Sequence, residues 1–135
     1  MTKQNLRLLD ANLNRLREGI RVVEDIYRYI YNDKEIATKL KDLRHTARIS
    51  LENELLHSRD IQNDVLKIST SSETNRTDLR SILIANFKRA QESSRVLEEF
   101  TKLIDIQTSE KFKSIRYELY HLEKSIVEYK KVEGV

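Results

Sequence analysis

NLNRLREGIRVVEDIYRYI, residues Asn12–Ile30, decides how the chain is read, because a second version of it stands further along: NFKRAQESSRVLEEFTKLI, Asn86–Ile104. Setting Asn12 on Asn86 pairs Arg15 with Arg89, Glu18 with Glu92 and Arg21 with Arg95. The same register pairs Val22 with Val96, Glu24 with Glu98, Asp25 with Glu99 and Ile30 with Ile104. A shorter echo follows each copy, LKDLRH at Leu40–His45 and FKSIRY at Phe112–Tyr117. Two sliding amphipathic helices explain matched apolar positions, but not matched amides, guanidiniums and carboxylates. The pattern therefore predicts an internal duplication, with halves at about 10–57 and 78–129 joined by a loop over 58–77.

Within the first copy, Leu13, Leu16, Ile20, Val23, Tyr27 and Ile30 recur at spacings of three and four, the stripe of an amphipathic helix. Asp10 is the expected cap and about Tyr31 the expected end. Arg17, Arg21, Glu24 and Arg28 fall on the far side, whereas Asn12 falls among the apolar positions, as Asn86 does in its own copy. A second helix is expected from an Asn32–Glu35 capping box, along Ile36, Leu40, Leu43, Ala47 and Leu51, to near His57. Ser58–Thr77 is rich in Ser, Thr, Asn and Asp, which favour turns over helices. Ile61, Val65 and Ile68 are expected to anchor it to the core as an ordered loop. A third helix should start at Thr77 or Asp78, with Leu79, Leu83, Ala90, Leu97 and Ile104 inward. A fourth should open at Thr108 or Ser109, with Phe112, Ile115, Leu119, Leu122, Ile126 and Tyr129 as its seam. The tail from Lys130 should fray. The expected fold is all-α: one domain over 1–135, a bundle of four long helices in two related pairs with a long ordered loop between the pairs.

Composition agrees. The chain has 135 residues, enough for one core. It has no Pro and two Gly, which disfavours a sheet of tight turns. It has no Cys, which removes disulfides and thiolate ligands. No apolar run reaches bilayer length and the N-terminus lacks the apolar core of a signal peptide, so the expected location is cytoplasmic, with no membrane partner. A net charge of +3 from 25 basic and 22 acidic residues is a mixed surface, and nucleic acid is not an expected partner.

Two distant glycines exclude the glycine-rich phosphate loops. What remains is the repeated set Arg15, Arg21, Arg89 and Arg95, the pair Arg44 and Arg116, and Arg59 and Arg76 at the ends of the loop. Arginine forks suit phosphate or carboxylate, although at helical spacing each also suits a surface ion pair with a neighbouring acid. Glu18, Glu24, Asp25, Glu92, Glu98, Glu99, Asp60 and Asp64 are acids that could join magnesium, an ion content with one or two carboxylates beside substrate phosphates. Glu118 and His121 make an E-x-x-H pair, but neither His45 nor His57 supplies the second motif a di-iron bundle requires.

LDANLNRLREGIRVVED resembles the opening of the helical domain fused in front of the barrel of some bacterial thiamine-phosphate synthases, a domain with hydroxymethylpyrimidine phosphate kinase activity. The resemblance continues through LKDLRH, RDIQNDV, ISTSSETNR, IANFKRAQESSRVLEEF and FKSIRYELYHLEK, covering about Leu9 to Lys124. It departs at Leu66, where members often carry Gly, and at Ser93–Ser94, where Ala-Leu is common; these 135 residues hold no barrel, so they are not expected to couple pyrimidine to thiazole themselves. The resemblance implies transfer of a phosphoryl group from ATP to hydroxymethylpyrimidine phosphate with Mg2+. It implies Arg15, Arg21, Arg89 and Arg95 on phosphate groups and Glu18, Glu92 or Asp64 on magnesium. Asn12, Asn86, Arg59, Asp60, Arg44 and Arg76 would contact substrate. The implied partners are the pyrimidine phosphate, ATP and a separate thiamine-phosphate synthase; apart from the resemblance, a bundle this small is expected to pair through a helix face as a homodimer. Two other classes fit the residues alone: an all-α enzyme on small anions, of chorismate-mutase or nucleotide-pyrophosphohydrolase type, and a non-catalytic partner-binding module.

Overall fold

The computed structural model describes residues 1–128, and these form an all-α bundle. Helix α1 (Lys3–Asp25) continues through a π-helical turn, Ile26–Ile30. Then come α2 (Lys34–Thr46), α3 (Glu52–Ser58), the single turn α4 (Ser71–Thr74), α5 (Leu79–Phe100) and α6 (Ile106–Glu128). Short links fold α2 back on α1 and α6 back on α5, and the two pairs meet chiefly through α1 and α5.

Gly19 is what lets α1 and α5 approach. A Cβ there would sit 3.1 Å from the Asn86 carbonyl oxygen and 3.4 Å from the Ala90 Cβ. Around this contact Leu9, Leu16, Ile20, Val23, Leu83, Phe87, Ala90 and Leu97 are buried together with Phe112, Ile115, Leu119, Leu122 and Ile126 of α6. The α6 seam thus forms as its spacing predicts; Tyr129 and the tail from Lys130 lie outside the described residues. Asp78 caps α5 as expected: its carboxylate accepts from the Ser81 N–H at 2.8 Å, and the Ser81 hydroxyl oxygen accepts from the Asp78 N–H at 3.1 Å.

Several boundaries differ from expectation, each for a physical reason. The first helix starts seven residues before Asp10, because the Thr2 hydroxyl accepts from the Asn5 N–H and caps it there. The second is capped by Asp33, whose carboxylate accepts from the Ile36 N–H; Asn32 instead adopts φ 52°, a left-handed conformation that asparagine tolerates. It also breaks at residues 47–51. Ala47 and Ile49 are both buried there, and residues two apart cannot share one helix face, so the backbone kinks and α3 follows as a separate helix against α1. The fourth helix opens at Ile106 rather than Thr108, since Asp105 accepts from the Thr108 N–H at 2.7 Å.

Three placements are corrected. Glu24 is not on an outer face but buried against α2. Ile30 and Ile104 leave their stripes. A change of helical pitch rotates each off the core face: Ile30 ends the π turn in one copy, and Ile104 follows the 3-10 turn Thr101–Leu103 in the other. Ile61, Val65 and Ile68 do not anchor the loop, being 72%, 94% and 83% exposed. Polar bonds at its start hold it instead.

Candidate functional site

The two halves share a buried lock. Arg44 on α2 donates from Nε and Nη2 to the Glu24 carboxylate at 2.7 and 3.2 Å, and Arg116 on α6 donates from the same atoms to Glu98 Oε1 at 3.1 and 2.8 Å. These four residues are equivalent in the repeat. Both guanidiniums are largely covered, so the forks tie each helix pair internally rather than facing a cavity. The Glu24 hydrogen bond holds the Arg44 guanidinium above its ordinary pKa despite burial. Asn12 and Asn86 also behave alike: each donates its amide to the carbonyl four residues earlier, Leu8 at 3.0 Å and Ile82 at 2.8 Å.

Beyond these equivalences the halves diverge. On one face of α1 the side chains at helical spacing, Gln4, Arg7, Leu8, Ala11, Asn12, Asn14, Arg15 and Glu18, form the floor of a cleft of about 730 Å3. The segment after α3 forms its wall with Arg59, Asp60, Ile61 and Asp64. Asp10, inside the cleft and only 6% exposed, is what joins floor to wall. Arg59 grips its carboxylate with both fork nitrogens, Nε to Oδ2 at 2.8 Å and Nη2 to Oδ1 at 2.9 Å. The bond to Asp10, and secondarily the charges of Asp10 and Glu18, hold the Arg59 guanidinium above its ordinary pKa. A second tie runs from Arg7 Nη2 to the Asp60 carbonyl at 2.8 Å.

On the wall, Asn63 donates from its side-chain amide and its backbone N–H to the Asp60 carboxylate, which holds that acid below its usual pKa. Asp64 accepts from the Leu66 N–H at 2.9 Å. Arg15 and Glu18 stand exposed on the floor one helical turn apart. Three arginines therefore face four carboxylates. Such a lining attracts a phosphate already complexed with a cation better than a bare polyphosphate, whose charge the acids oppose. Among the described residues no group of three or more acids or histidines is placed to hold a metal alone. Glu18 and Asp64 suit an ion that arrives with substrate phosphates and completes its shell with them.

The structure thus gathers Asn12, Arg15, Glu18, Arg59, Asp60 and Asp64 around one cleft. It places the other expected residues elsewhere. Arg44 is locked to Glu24; Arg21 pairs with Asp25 at 3.2 Å; Arg95 pairs with Glu98 and Glu99 at 3.2 and 3.5 Å. Asn86, Arg89 and Glu92 are on α5, outside the cleft lining, and Arg76 is exposed near the end of the loop. Arg7 and Asp10 were missed from the sequence because a search by repetition is blind to them: the register sets them against Ser81 and Ile84. A smaller hollow of about 290 Å3 at Arg28, Asp33, Lys34 and Lys41 includes Glu24, an acid already committed to Arg44.

Comparison with known proteins finds similarity along most of the chain. The chain is 41% identical over 128 residues to a thiamine-phosphate synthase of Synechocystis sp., covering 94% of this chain and 37% of the relative. It is 41% identical over 121 residues to a thiamine-phosphate synthase of Thermosynechococcus vestitus, covering 89% and 34%. One from Rhodopirellula baltica is 39% identical over 120 residues, covering 85% and 32%. The chain therefore spans about a third of the length of these relatives. No solved structure matches it. Residues 7–125 match the model of the ThiD2 family, a span that takes in the cleft from Arg7 to Asp64 and both buried locks, and the chain belongs to that family.

Proposed function

We propose that this protein is a small-molecule kinase of thiamine biosynthesis that transfers the γ-phosphoryl group of ATP to hydroxymethylpyrimidine phosphate, giving the diphosphate and ADP. Family membership and relatives named thiamine-phosphate synthase support the pathway. One observation carries the reaction: a single cleft brings Arg15 and Asn12 of α1 together with Arg59, Asp60 and Asp64 of the following segment, with Glu18 beside them.

In this reaction a phosphate oxygen of the pyrimidine monophosphate bonds to the γ-phosphorus as the bond from that phosphorus to the β,γ-bridging oxygen breaks and ADP leaves. The nucleophile is already an anion at neutral pH, so the site needs no general base, and no histidine lines the cleft. The demands are alignment and neutralisation of charge. Arg15 contributes an exposed guanidinium to the floor, while Arg59, fixed by Asp10, shapes the wall. Magnesium, bound with the phosphates beside Glu18 and Asp64, would draw charge from the transferring group. The product is a pyrimidine diphosphate activated for coupling, and we place the chain beside a separate thiamine-phosphate synthase.

The test is a coupled ADP-release assay with the pyrimidine monophosphate against its unphosphorylated alcohol. The monophosphate should sustain ADP release and yield the diphosphate; the alcohol should not. Arg15→Ala should lower kcat/KM by about a hundredfold with an unchanged melting curve. Running Arg89→Ala alongside decides whether the α5 face also takes part. A folded Arg15→Ala protein with wild-type kcat/KM overturns the assignment.

A further inference from the structure

The cleft is built for charge and poorly built for a ring. Among the described residues that line it only Leu8, Ala11 and Ile61 are apolar, whereas small-molecule sites normally bury a heterocycle against several apolar side chains. The missing apolar surface hangs at the rim. Between Ile61 and Ile68 the loop turns four large aliphatic side chains to solvent: Ile61 at 72%, Val65 at 94%, Leu66 at 82% and Ile68 at 83% exposed. This run begins where the polar ties end. Arg59 on Asp10 and Arg7 on the Asp60 carbonyl fix the chain beside the cleft. Past that point the bonds that shape the segment are local: Asn63 to Asp60, the Leu66 N–H to Asp64, Lys67 to the Gln62 carbonyl. A preformed turn held at one end, with an apolar side facing water next to a polar cleft, has the construction of a cover.

We infer that Ile61–Ile68 closes over the bound pyrimidine, bringing Val65 and Leu66 in as the apolar wall of the ring's pocket. This rests on the kinase site proposed above. Closure also expels water from the phosphates, so that the transferred group reaches the monophosphate rather than solvent. The two residues thereby become determinants of affinity for the pyrimidine, and the phosphate contacts on α1 do not depend on them.

The chain contains no Trp, so Leu66→Trp installs a single indole on an exposed position. Saturating hydroxymethylpyrimidine phosphate with Mg-ATP should shift its emission to shorter wavelength as the indole leaves water. Val65→Asp and Leu66→Asp should raise KM for the pyrimidine phosphate by about tenfold or more while KM for ATP stays near wild type. Unchanged emission with calorimetric binding intact, or aspartate variants with wild-type KM, overturns the cover and leaves the kinase site standing. Emission already shifted without ligand, and dependent on protein concentration, makes the segment a docking face for a second copy and equally overturns it. Failure of the wild-type protein to bind or turn over either compound overturns the kinase reading and the cover together.

Discussion

Arg44 and Arg116 carry more of the fold than their place in a charged chain suggests. Each is a fork on a carboxylate that has almost no solvent access, Glu24 at 1% and Glu98 at 8% side-chain exposure. Removing one member strands a buried charge, at a cost of about 3–5 kcal/mol. Arg44→Ala should show this loss in denaturant unfolding and Arg116→Ala a smaller one, because Arg95 still pairs with Glu98, whereas Arg21→Ala, whose partner Asp25 is half-exposed, should cost under about 1 kcal/mol. Tyr27 offers a second test at this scale. It is wholly buried with no partner for its hydroxyl among the described residues, and burial, aided by Tyr31 and Asp33, pushes its pKa well above the ordinary tyrosine value. The folded state keeps a proton that the unfolded chain releases near pH 10, so the contribution is complete below about pH 10 and is lost as the pH rises beyond it. Melting curves from pH 7 to 11 should therefore fall at the alkaline end, and Tyr27→Phe should soften that fall without destabilising the protein at pH 7.

At the scale of elements, the α1–α5 crossing is set by Gly19. Gly19→Ala gains about 1 kcal/mol of helix propensity, but its Cβ meets the Asn86 carbonyl at 3.1 Å, so the melting temperature should stay near wild type. Gly19→Leu adds side chain where two backbones meet and should cost about 1–3 kcal/mol. The same crossing shows what was legible beforehand. Elements with an unbroken spacing of three and four, α6 above all, are readable because periodicity alone defines their buried face. The break between α2 and α3 is not: Ala47, Ile49 and Leu51 are apolar whether the chain stays helical or kinks, and only packing on α1 decides between the two. The loop's aliphatic residues fail for the same reason, since apolar character does not say which surface is there to receive it. For the site, the repeat pointed to amides, arginines and acids as a set. It could not separate Arg44 and Arg116, which lock helices, from Arg15, which faces a cleft. Repetition selects whatever both halves need, and folding is what both certainly need.

For the molecule as a whole, two similar helix pairs are used unequally. Both halves have the amide, the lock and the apolar stripe, yet among the described residues only α1 is flanked by a segment that builds a wall beside it. Arg59→Ala tests this asymmetry, because it removes the tie to Asp10 without touching the core. Stability in denaturant unfolding should fall by about 1–3 kcal/mol, because the buried Asp10 carboxylate loses its fork although Arg59 itself is partly exposed, while kcat/KM for the pyrimidine phosphate should fall at least tenfold as the wall loses register. No described helix is long and apolar enough to cross a membrane.

The twin Arg–Glu clasps also say what each helix pair lacks. Each hairpin is fastened from within by a fork on a buried carboxylate, so what it needs from outside is cover for its greasy flank. The other pair supplies that cover at the crossing where Gly19 sits, and a hairpin cut away from it would have to find the same cover on some other apolar surface.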